Sequence, residues 1–293
     1  MKLTILGTGN ALVTKCYNTC FILEDQGRCL LVDGGGGSAI LAKIRDAGYE
    51  WTDIHDIFVT HKHVDHILGI IWMVRVICQT MNTGDYEGEA FIYGHDEVIS
   101  LVREIAGKLL NANELVHLDE RLHTVVLEDG DTFEAMGHKM QAFDIGSTKA
   151  KQFGFNLYYG DGKKLTCCGD EPFNEREEPY ARDSDWMLHE AFCLYGEADI
   201  FHPYDHHHST VREASQLAES LNVKNLVLYH TEDKNILVRK EKYGKEGAQY
   251  YHGNLYVPDD MDVIDLDTGV CKNCMKKPVR RRHLSSSKRR TRI

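Results

Sequence analysis

The feature that most constrains the fold is "VTHKHVDHIL", residues 59–68, in which three histidines and an aspartate occupy six positions. The run "DIFVT" before it predicts a strand, and "HILGIIWMVRVICQTM" after it predicts a buried helix. In an extended loop His61 and His63 point the same way and can hold one ion, while the following turn carries Asp65 and His66 to a neighbouring position. Histidine nitrogens and carboxylate oxygens suit zinc, iron or manganese. The cluster therefore predicts metal binding at the end of a strand.

Three further potential ligands lie where predicted strands end. Asp33 ends "CLLVD" before four glycines, Asp170 ends "LTCCGD", and His230 ends "NLVLYH". Strand ends are where α/β folds commonly present functional side chains. Strands and helices are mixed in both halves of residues 1–265, and no linker separates them. This pattern predicts one catalytic domain of the α/β class.

Apolar spacing and capping signals predict the helices. "SAILAKIRDAG" and "DEVISLVREIAGKLLN" have helical spacing. Thr210 and Glu213 form a capping-box pattern before the helix predicted in "VREASQLAESLNV". We also expect "SDWMLHEAF", residues 184–192, to be helical.

Charge is distributed unevenly along the chain, whose formal net charge is −11. Residues 271–293 hold ten Lys or Arg and no acidic residue, so the body before them is strongly acidic. An acidic body repels nucleic acid, whereas a basic end attracts it. We expect residues 266–293 to be a disordered tail that contacts nucleic acid weakly or has no binding role. Its single "CKNC", residues 271–274, supplies too few ligands for a structural zinc site.

The cysteines and the first residues indicate a cytoplasmic protein that does not enter a membrane. The nine cysteines are an odd number, and most lie in apolar runs, which suits reduced thiols better than a disulfide framework. The apolar stretches fall short of the roughly 18 residues needed to cross a bilayer. "MKLTILGTGNA" lacks the apolar region and cleavage site of a signal peptide.

These motifs resemble those of the metallo-β-lactamase superfamily of hydrolases, in its ribonuclease Z-like branch, over roughly residues 1–265. The resemblance implies a four-layer αβ/βα sandwich with two divalent metal ions at one edge of its paired sheets. Zinc is the expected metal, with manganese and iron as alternatives. By resemblance, His61 and His63 bind one ion, Asp65 and His66 bind the other, Asp170 bridges both, His230 completes the second site, and Asp33 orients the ligands.

Two further stretches are similar to motifs of the ribonuclease Z-like branch. "LHEAF", residues 188–192, resembles its HEAT motif, and "HHHST", residues 206–210, resembles its His-Ser-Thr motif. The resemblance implies that Glu190 and His208 act as a pair near the leaving group. Together with Asp65, which can accept a proton from the attacking water, they are the expected catalytic residues.

The chain departs from that family in two places. The third histidine of the His61/His63 site is missing, because "FDIGST" has Gly146 at or next to the expected position. We therefore expect that site to be weak or partly occupied, and Gly146→His to raise the metal content. The long arm that ribonuclease Z uses to hold tRNA is also missing, which disfavours tRNA as the substrate.

A metal-dependent hydrolase of small phosphodiesters is the function that the sequence favours. Two alternatives stay open: a lactonase or thioesterase with the same metal motif, and a metal-binding protein with feeble or lost catalysis. The sequence does not decide the oligomeric state, and a homodimer is compatible with it.

Overall fold

The strands form two sheets in the computed structural model, which describes residues 1–273. They are β1 (Lys2–Gly7), β2 (Cys20–Asp25), β3 (Arg28–Val32), β4 (Ile54–Phe58), β5 (Ala90–Gly94), β6 (Leu122–Val126), β7 (Thr132–Ala135), β8 (His138–Asp144), β9 (Phe153–Tyr159), β10 (Lys163–Cys167), β11 (Trp186–Glu190), β12 (Asn225–Tyr229), β13 (Asn254–Tyr256), β14 (Asp262–Asp265) and β15 (Cys271–Asn273). The first sheet has the order β15-β14-β1-β2-β3-β4-β5-β6, and the second has the order β13-β12-β11-β10-β9-β8-β7.

Helices cover the outer face of each sheet. They are α1 (Ala39–Asp46), α2 (Val64–Thr83), α3 (Asp96–Leu109), α4 (Ala112–Leu115), α5 (Glu178–Ala181), α6 (Ala198–Phe201), α7 (Val211–Ser220) and α8 (Arg239–Gly247). Thr210 caps α7 and forms the predicted capping box with Glu213.

Three buried clusters separate four layers. Between the sheets, Phe58 packs against Phe155 with ring centroids 5.0 Å apart. Ile70 of α2 belongs to a second cluster under the first sheet, and Ala214 of α7 and Tyr243 of α8 belong to a third under the second sheet. The predicted four-layer αβ/βα sandwich is confirmed.

Parallel pairing brings the ends of several strands to one edge. The run β3-β4-β5-β6 is parallel in the first sheet, as is β10-β11-β12-β13 in the second. Parallel strands at the centre of a sheet are buried on both faces, as β11 and β12 are over most of their length. The residues that follow these strands at this edge are Asp33 after β3, His61 to His66 after β4, Asp170 after β10 and His230 after β12.

The glycine run after β3 holds the start of α2 against the sheet. A Cβ on Gly69 would lie 1.8 Å from the Gly34 carbonyl oxygen, so only glycine allows this approach. The Gly34 N–H donates to the His66 carbonyl, and the Gly69 N–H donates to the Gly35 carbonyl. These contacts fix the first turn of α2, which carries Asp65 and His66.

Helix α2 is longer and more apolar than the sequence analysis expected of any segment in this protein. This helix has 20 residues and is long and apolar enough, by length and composition, to cross a membrane. Most of it is nevertheless buried in the protein, and it starts with Asp65 and His66 facing the interior. Such burial is typical of the core helix of a globular fold.

The prediction of a helix over 184–192 is wrong. Trp186–Glu190 form β11, a central strand whose five residues are all buried. Apolar residues cover both faces of such a strand, so its sequence cannot be told from a buried helix by periodicity.

The fold continues past the predicted domain end at residue 265. Leu266 is buried, and Cys271–Asn273 pair with β14. Residues 274–293, the rest of the predicted tail, lie outside the described residues, as does the second cysteine of "CKNC". The eight cysteines within the described residues are free thiols, as the sequence predicted.

Candidate metal centre

The six predicted metal ligands come together in two adjacent groups. His61, His63 and Asp170 form one group, and Asp65, His66 and His230 form the other. Within each group the potential ligand atoms lie within 4.8 Å of one another.

Asp170 lies between the two groups. Its Oδ2 is 3.6 Å from His61 Nε2, 3.2 Å from His66 Nε2 and 3.4 Å from His230 Nε2. One carboxylate oxygen therefore faces imidazoles of both groups, which is the position of a bridging ligand.

Asp33 orients the residues that follow β4. Its Oδ1 accepts the Thr60 N–H at 2.8 Å, and its Oδ2 accepts the Thr60 hydroxyl at 2.8 Å. The same Oδ2 lies 2.7 Å from His66 Nδ1, which donates to it. Asp33 is itself buried and has a left-handed φ of 57°, a conformation that aspartate and asparagine tolerate better than most residues.

Threonine hydroxyl groups fix the ring orientation of His61 and His230, the two other fully buried histidines of the ligand groups. The Thr60 hydroxyl donates to Asp33 and therefore accepts from His61 Nδ1, 2.9 Å away. Thr19 donates to the Gly9 carbonyl and accepts from His230 Nδ1 at 3.0 Å. With Nδ1 carrying the hydrogen, each ring presents the lone pair of Nε2 to the centre, as metal-binding histidines require.

The donor set fits divalent metal ions. His66 Nε2 is buried and has no hydrogen-bond partner, although Asp65 Oδ2 is 3.4 Å away and Asp170 Oδ2 is 3.2 Å away. A buried orphan nitrogen facing two carboxylates is costly unless an ion or a proton compensates. Imidazole and carboxylate ligands without thiolate suit zinc, manganese or iron.

Burial and neighbouring charges both shift the pKa values of the side chains in this centre. Burial lowers the pKa of His66, but the carboxylates of Asp65, Asp33 and Asp170 outweigh burial and raise this pKa well above its usual value. Burial lowers the pKa of His61 well below its usual value. Burial raises the pKa of Asp170, but the surrounding imidazoles outweigh burial and bring it well below the ordinary range. A divalent ion that binds at His66 would therefore compete with a proton there.

Glu190 and His208 lie beside the centre as a buried pair. Glu190 Oε2 is 3.6 Å from His208 Nδ1, and both atoms are otherwise unpartnered. Glu190 Oε1 accepts the Ser209 N–H, and Phe192 stacks on the His208 ring with centroids 4.9 Å apart. The His208 ring also lies 5.1 Å from that of His230, which places it next to the second ligand group.

Burial keeps this pair neutral. It raises the pKa of Glu190 well above its usual value and lowers the pKa of His208 to about 3. A protonated Glu190 Oε2 would point its hydrogen at His208 Nδ1, which leaves the hydrogen of the imidazole on Nε2. In this form His208 is a hydrogen-bond donor from Nε2.

Gly146 does not offer a simple place for the missing imidazole. Its φ is 70°, and a Cβ built there would lie 3.1 Å from Arg176 Cδ. A histidine at 146 would therefore be strained and would begin beside Arg176. This finding argues against the expectation that Gly146→His completes the site.

Other polar groups on β8 and in the loop that follows it have partners of their own. Lys151 Nζ lies 2.7 Å from Asp96 Oδ1, and Lys149 donates to the His206 carbonyl. Asp144 accepts the Gly146 N–H at 2.8 Å, and His138 lies 2.9 Å from Asp25.

Sequence reasoning missed the residues that orient the ligands. Thr19 and Thr60 act through single hydroxyl groups, and Gln152 donates from Nε2 to Asp170 Oδ1 at 2.7 Å. Thr19 is 211 residues from the histidine it contacts, and Gln152 is 18 residues from Asp170. No local spacing in the sequence indicates either contact.

Comparison with known proteins agrees with this geometry. The ribonuclease Z of Nanoarchaeum equitans is 25% identical, over 91% of this chain and 93% of its own length. The crystal structure of the metallo-β-lactamase fold protein YhfI from Bacillus subtilis has a TM-score of 0.70 at 17% identity, covering 89% of this chain and 98% of YhfI. Human tRNase Z, short form, has a TM-score of 0.69 at 20% identity, covering 91% of this chain and 99% of that structure.

The profile of one family, described as anti-Pycsar protein Apyc1, matches residues 1–249. This match covers most of the 293 residues, including every residue of the two ligand groups together with Glu190 and His208. The chain therefore belongs to the anti-Pycsar protein Apyc1 family, and it is a metal-dependent hydrolase with the metallo-β-lactamase fold.

Proposed function

We propose that this hydrolase cleaves small phosphodiesters at a dinuclear metal centre. The observation that carries the proposal is Asp170 Oδ2, which lies within 3.2–3.6 Å of imidazoles from both ligand groups. His61, His63 and Asp170 would hold one ion. Asp65, His66 and His230, with Asp170 shared, would hold the other.

Each residue has a distinct role in this reaction. Two bound divalent ions would supply Lewis acidity, lowering the pKa of water and neutralising charge on phosphoryl oxygens. The Asp65 carboxylate, whose pKa is brought below its usual value mainly by His66 against the effect of burial, is ionised and can accept the proton of the attacking water. His208 Nε2–H would donate to the leaving oxygen, and Glu190, 3.6 Å from His208 Nδ1, would hold the imidazole in the donating form.

The space beside the centre supports a small substrate. An open cleft of about 650 Å³ is lined by residues that include Glu171, Lys151 and His207, which are the chain neighbours of Asp170, Gln152 and His208. Pockets of this size accept small molecules. The acidic body and the missing tRNA arm also support a small phosphodiester over tRNA as the substrate.

The two ions should bind with unequal affinity. One group offers His61, His63 and the shared Asp170, whereas the other offers Asp65, His66 and His230 in addition to the shared carboxylate. His63 is also less buried than the other ligands. We expect the His61/His63 site to fill second.

Hydrolysis of three ester classes tests the proposal. Protein reconstituted with excess Zn²⁺ or Mn²⁺ is assayed on bis(p-nitrophenyl) phosphate, on a lactone and on a thioester. We expect turnover of the phosphodiester, and loss of this turnover in Asp170→Asn. Preferential cleavage of the lactone or thioester would replace the proposal with a lactonase or thioesterase. A protein that binds metal but cleaves none of the three would instead be a binding protein.

A further inference from the structure

Gln152 provides a buried hydrogen bond to the bridging carboxylate. Its side chain is 1% exposed, and Nε2 donates to Asp170 Oδ1 at 2.7 Å. Its Oε1 is also buried and has no partner. The amide cannot be reversed, because Oε1 would then face Asp170 Oδ1 and two acceptors would meet.

The backbone around Gln152 is held from both sheets. The Ile145 N–H donates to the Gln152 carbonyl at 3.1 Å, across the loop that contains Gly146. The next residue, Phe153, donates its N–H to the carbonyl of Thr60 at 3.0 Å. Thr60 is the residue that orients His61, so the same short segment is tied to the His61 ligand and to the bridge.

Glycine next to the bridge makes room for this amide. Gly169 has a φ of 76°, and a Cβ there would lie 2.6 Å from Gln152 Nε2. The glycine of "CCGDEP", directly before Asp170, therefore leaves the space that the Gln152 side chain occupies.

We propose that Gln152 is a positioning residue that holds Asp170 Oδ1 and thereby presents Oδ2 to both metal sites. The loop that lacks an imidazole at Gly146 thus contributes to the centre from its other end, through a neutral amide. A neutral donor fixes the carboxylate without adding a positive charge that would repel the ions. This inference rests on the proposed dinuclear centre.

Metal affinity of Gln152 variants tests the inference. Gln152→Met keeps nearly the same volume but removes the N–H donor, and Gln152→Ala removes the whole amide. Co²⁺ binding is followed by calorimetry and by the visible absorption of the bound ion. We expect the Kd for both ions to rise by about 10–100-fold in both variants, as is common when a partner of a metal ligand is lost. We also expect a changed absorption spectrum of the ion that still binds.

Asn156 supplies a matched control on β9, the strand that follows Gln152. It is a buried amide four residues after Gln152 that accepts from the Thr166 hydroxyl at 2.7 Å, away from the ligand groups. Asn156→Ala should lower thermal stability without changing the Co²⁺ affinity or spectrum. Wild-type Co²⁺ affinity at both sites in Gln152→Met would overturn the inference. A wild-type protein that binds fewer than two Co²⁺ ions would instead overturn the dinuclear centre on which it rests.

Discussion

Replacing Asp33 with asparagine should impair both metal sites by changing the tautomer of His66 directly and that of His61 through Thr60. Asparagine tolerates the left-handed φ of 57° at this position and has nearly the same shape as aspartate. The Thr60 N–H must still meet an oxygen, so the amide oxygen takes the place of Oδ1 and the NH₂ group takes the place of Oδ2. That NH₂ then faces His66 Nδ1, which is 2.7 Å from Oδ2 in the present structure.

Two donors cannot share this contact. His66 must therefore accept at Nδ1 and carry its hydrogen on Nε2, the atom that faces Asp65 and Asp170. A protonated Nε2 has no lone pair for an ion. The NH₂ group also removes the acceptor of the Thr60 hydroxyl, which must then donate to His61 Nδ1 and move the hydrogen of that ring to Nε2. We expect affinity at both metal sites to fall by about 10–100-fold, where each factor of ten corresponds to about 1.4 kcal/mol.

Calorimetric Zn²⁺ titration measures this loss, and the ¹⁵N chemical shifts of the His66 ring report the tautomer. Asp56→Asn is the control, because Asp56 lies on the neighbouring β4 and accepts from Met136 N at 2.9 Å and Tyr93 Oη at 3.2 Å, away from the centre. Its Zn²⁺ affinity should equal that of the wild type. If Asp33→Asn binds Zn²⁺ as tightly as the wild type and His66 still carries its hydrogen on Nδ1, Asp33 does not set the tautomer that metal binding needs.

Four further predictions concern the catalytic pair, Gly146 and pH. His208→Ala should lower phosphodiester turnover by about 100-fold or more while leaving Zn²⁺ stoichiometry unchanged, and an equal loss of bound zinc would show that His208 acts as a ligand. Gly146→His should lower the free energy of unfolding by roughly 1 kcal/mol, because φ is 70°, and should add no metal, which thermal melts and elemental analysis check together. Because the pKa of His66 is raised, Zn²⁺ binding should release protons and should weaken as pH falls. Calorimetry in buffers of different ionisation enthalpy detects the released protons. Zn²⁺ binding without proton release would contradict the raised pKa of His66. In the metal-free protein, the same raised pKa should contribute stability at low pH that is lost as pH rises through the folded-state value.

The sequence predicts which side chains come together where chemistry and strand ends coincide. Parallel strands finish at one edge, so Asp170 and His230, far apart in the chain, could be assigned to the same centre as "HKHVDH". The predicted helix at 184–192 failed because β11 is buried on both faces and has no alternating pattern.

The supporting hydrogen bonds could not be predicted from spacing. Thr19 and Gln152 are common residue types whose roles depend on contacts between loops that are separate in the chain. Thr60 orients its neighbour His61 only because Asp33, from another loop, accepts the hydrogen of its hydroxyl group. The conformation of Gly146 was equally hidden, because a glycine in a sequence does not reveal the sign of its φ. Resemblance therefore named the candidate ligands, whereas only the fold showed what holds these side chains in place.

Turnover measured against the number of Zn²⁺ ions bound per chain shows whether hydrolysis needs two bound ions. Bis(p-nitrophenyl) phosphate is assayed while bound zinc is raised from zero to saturation. A dinuclear centre should give little turnover with one bound ion and a steep rise in turnover as the second ion fills the His61/His63 site. Full turnover at one ion per chain, or none at two, would contradict it.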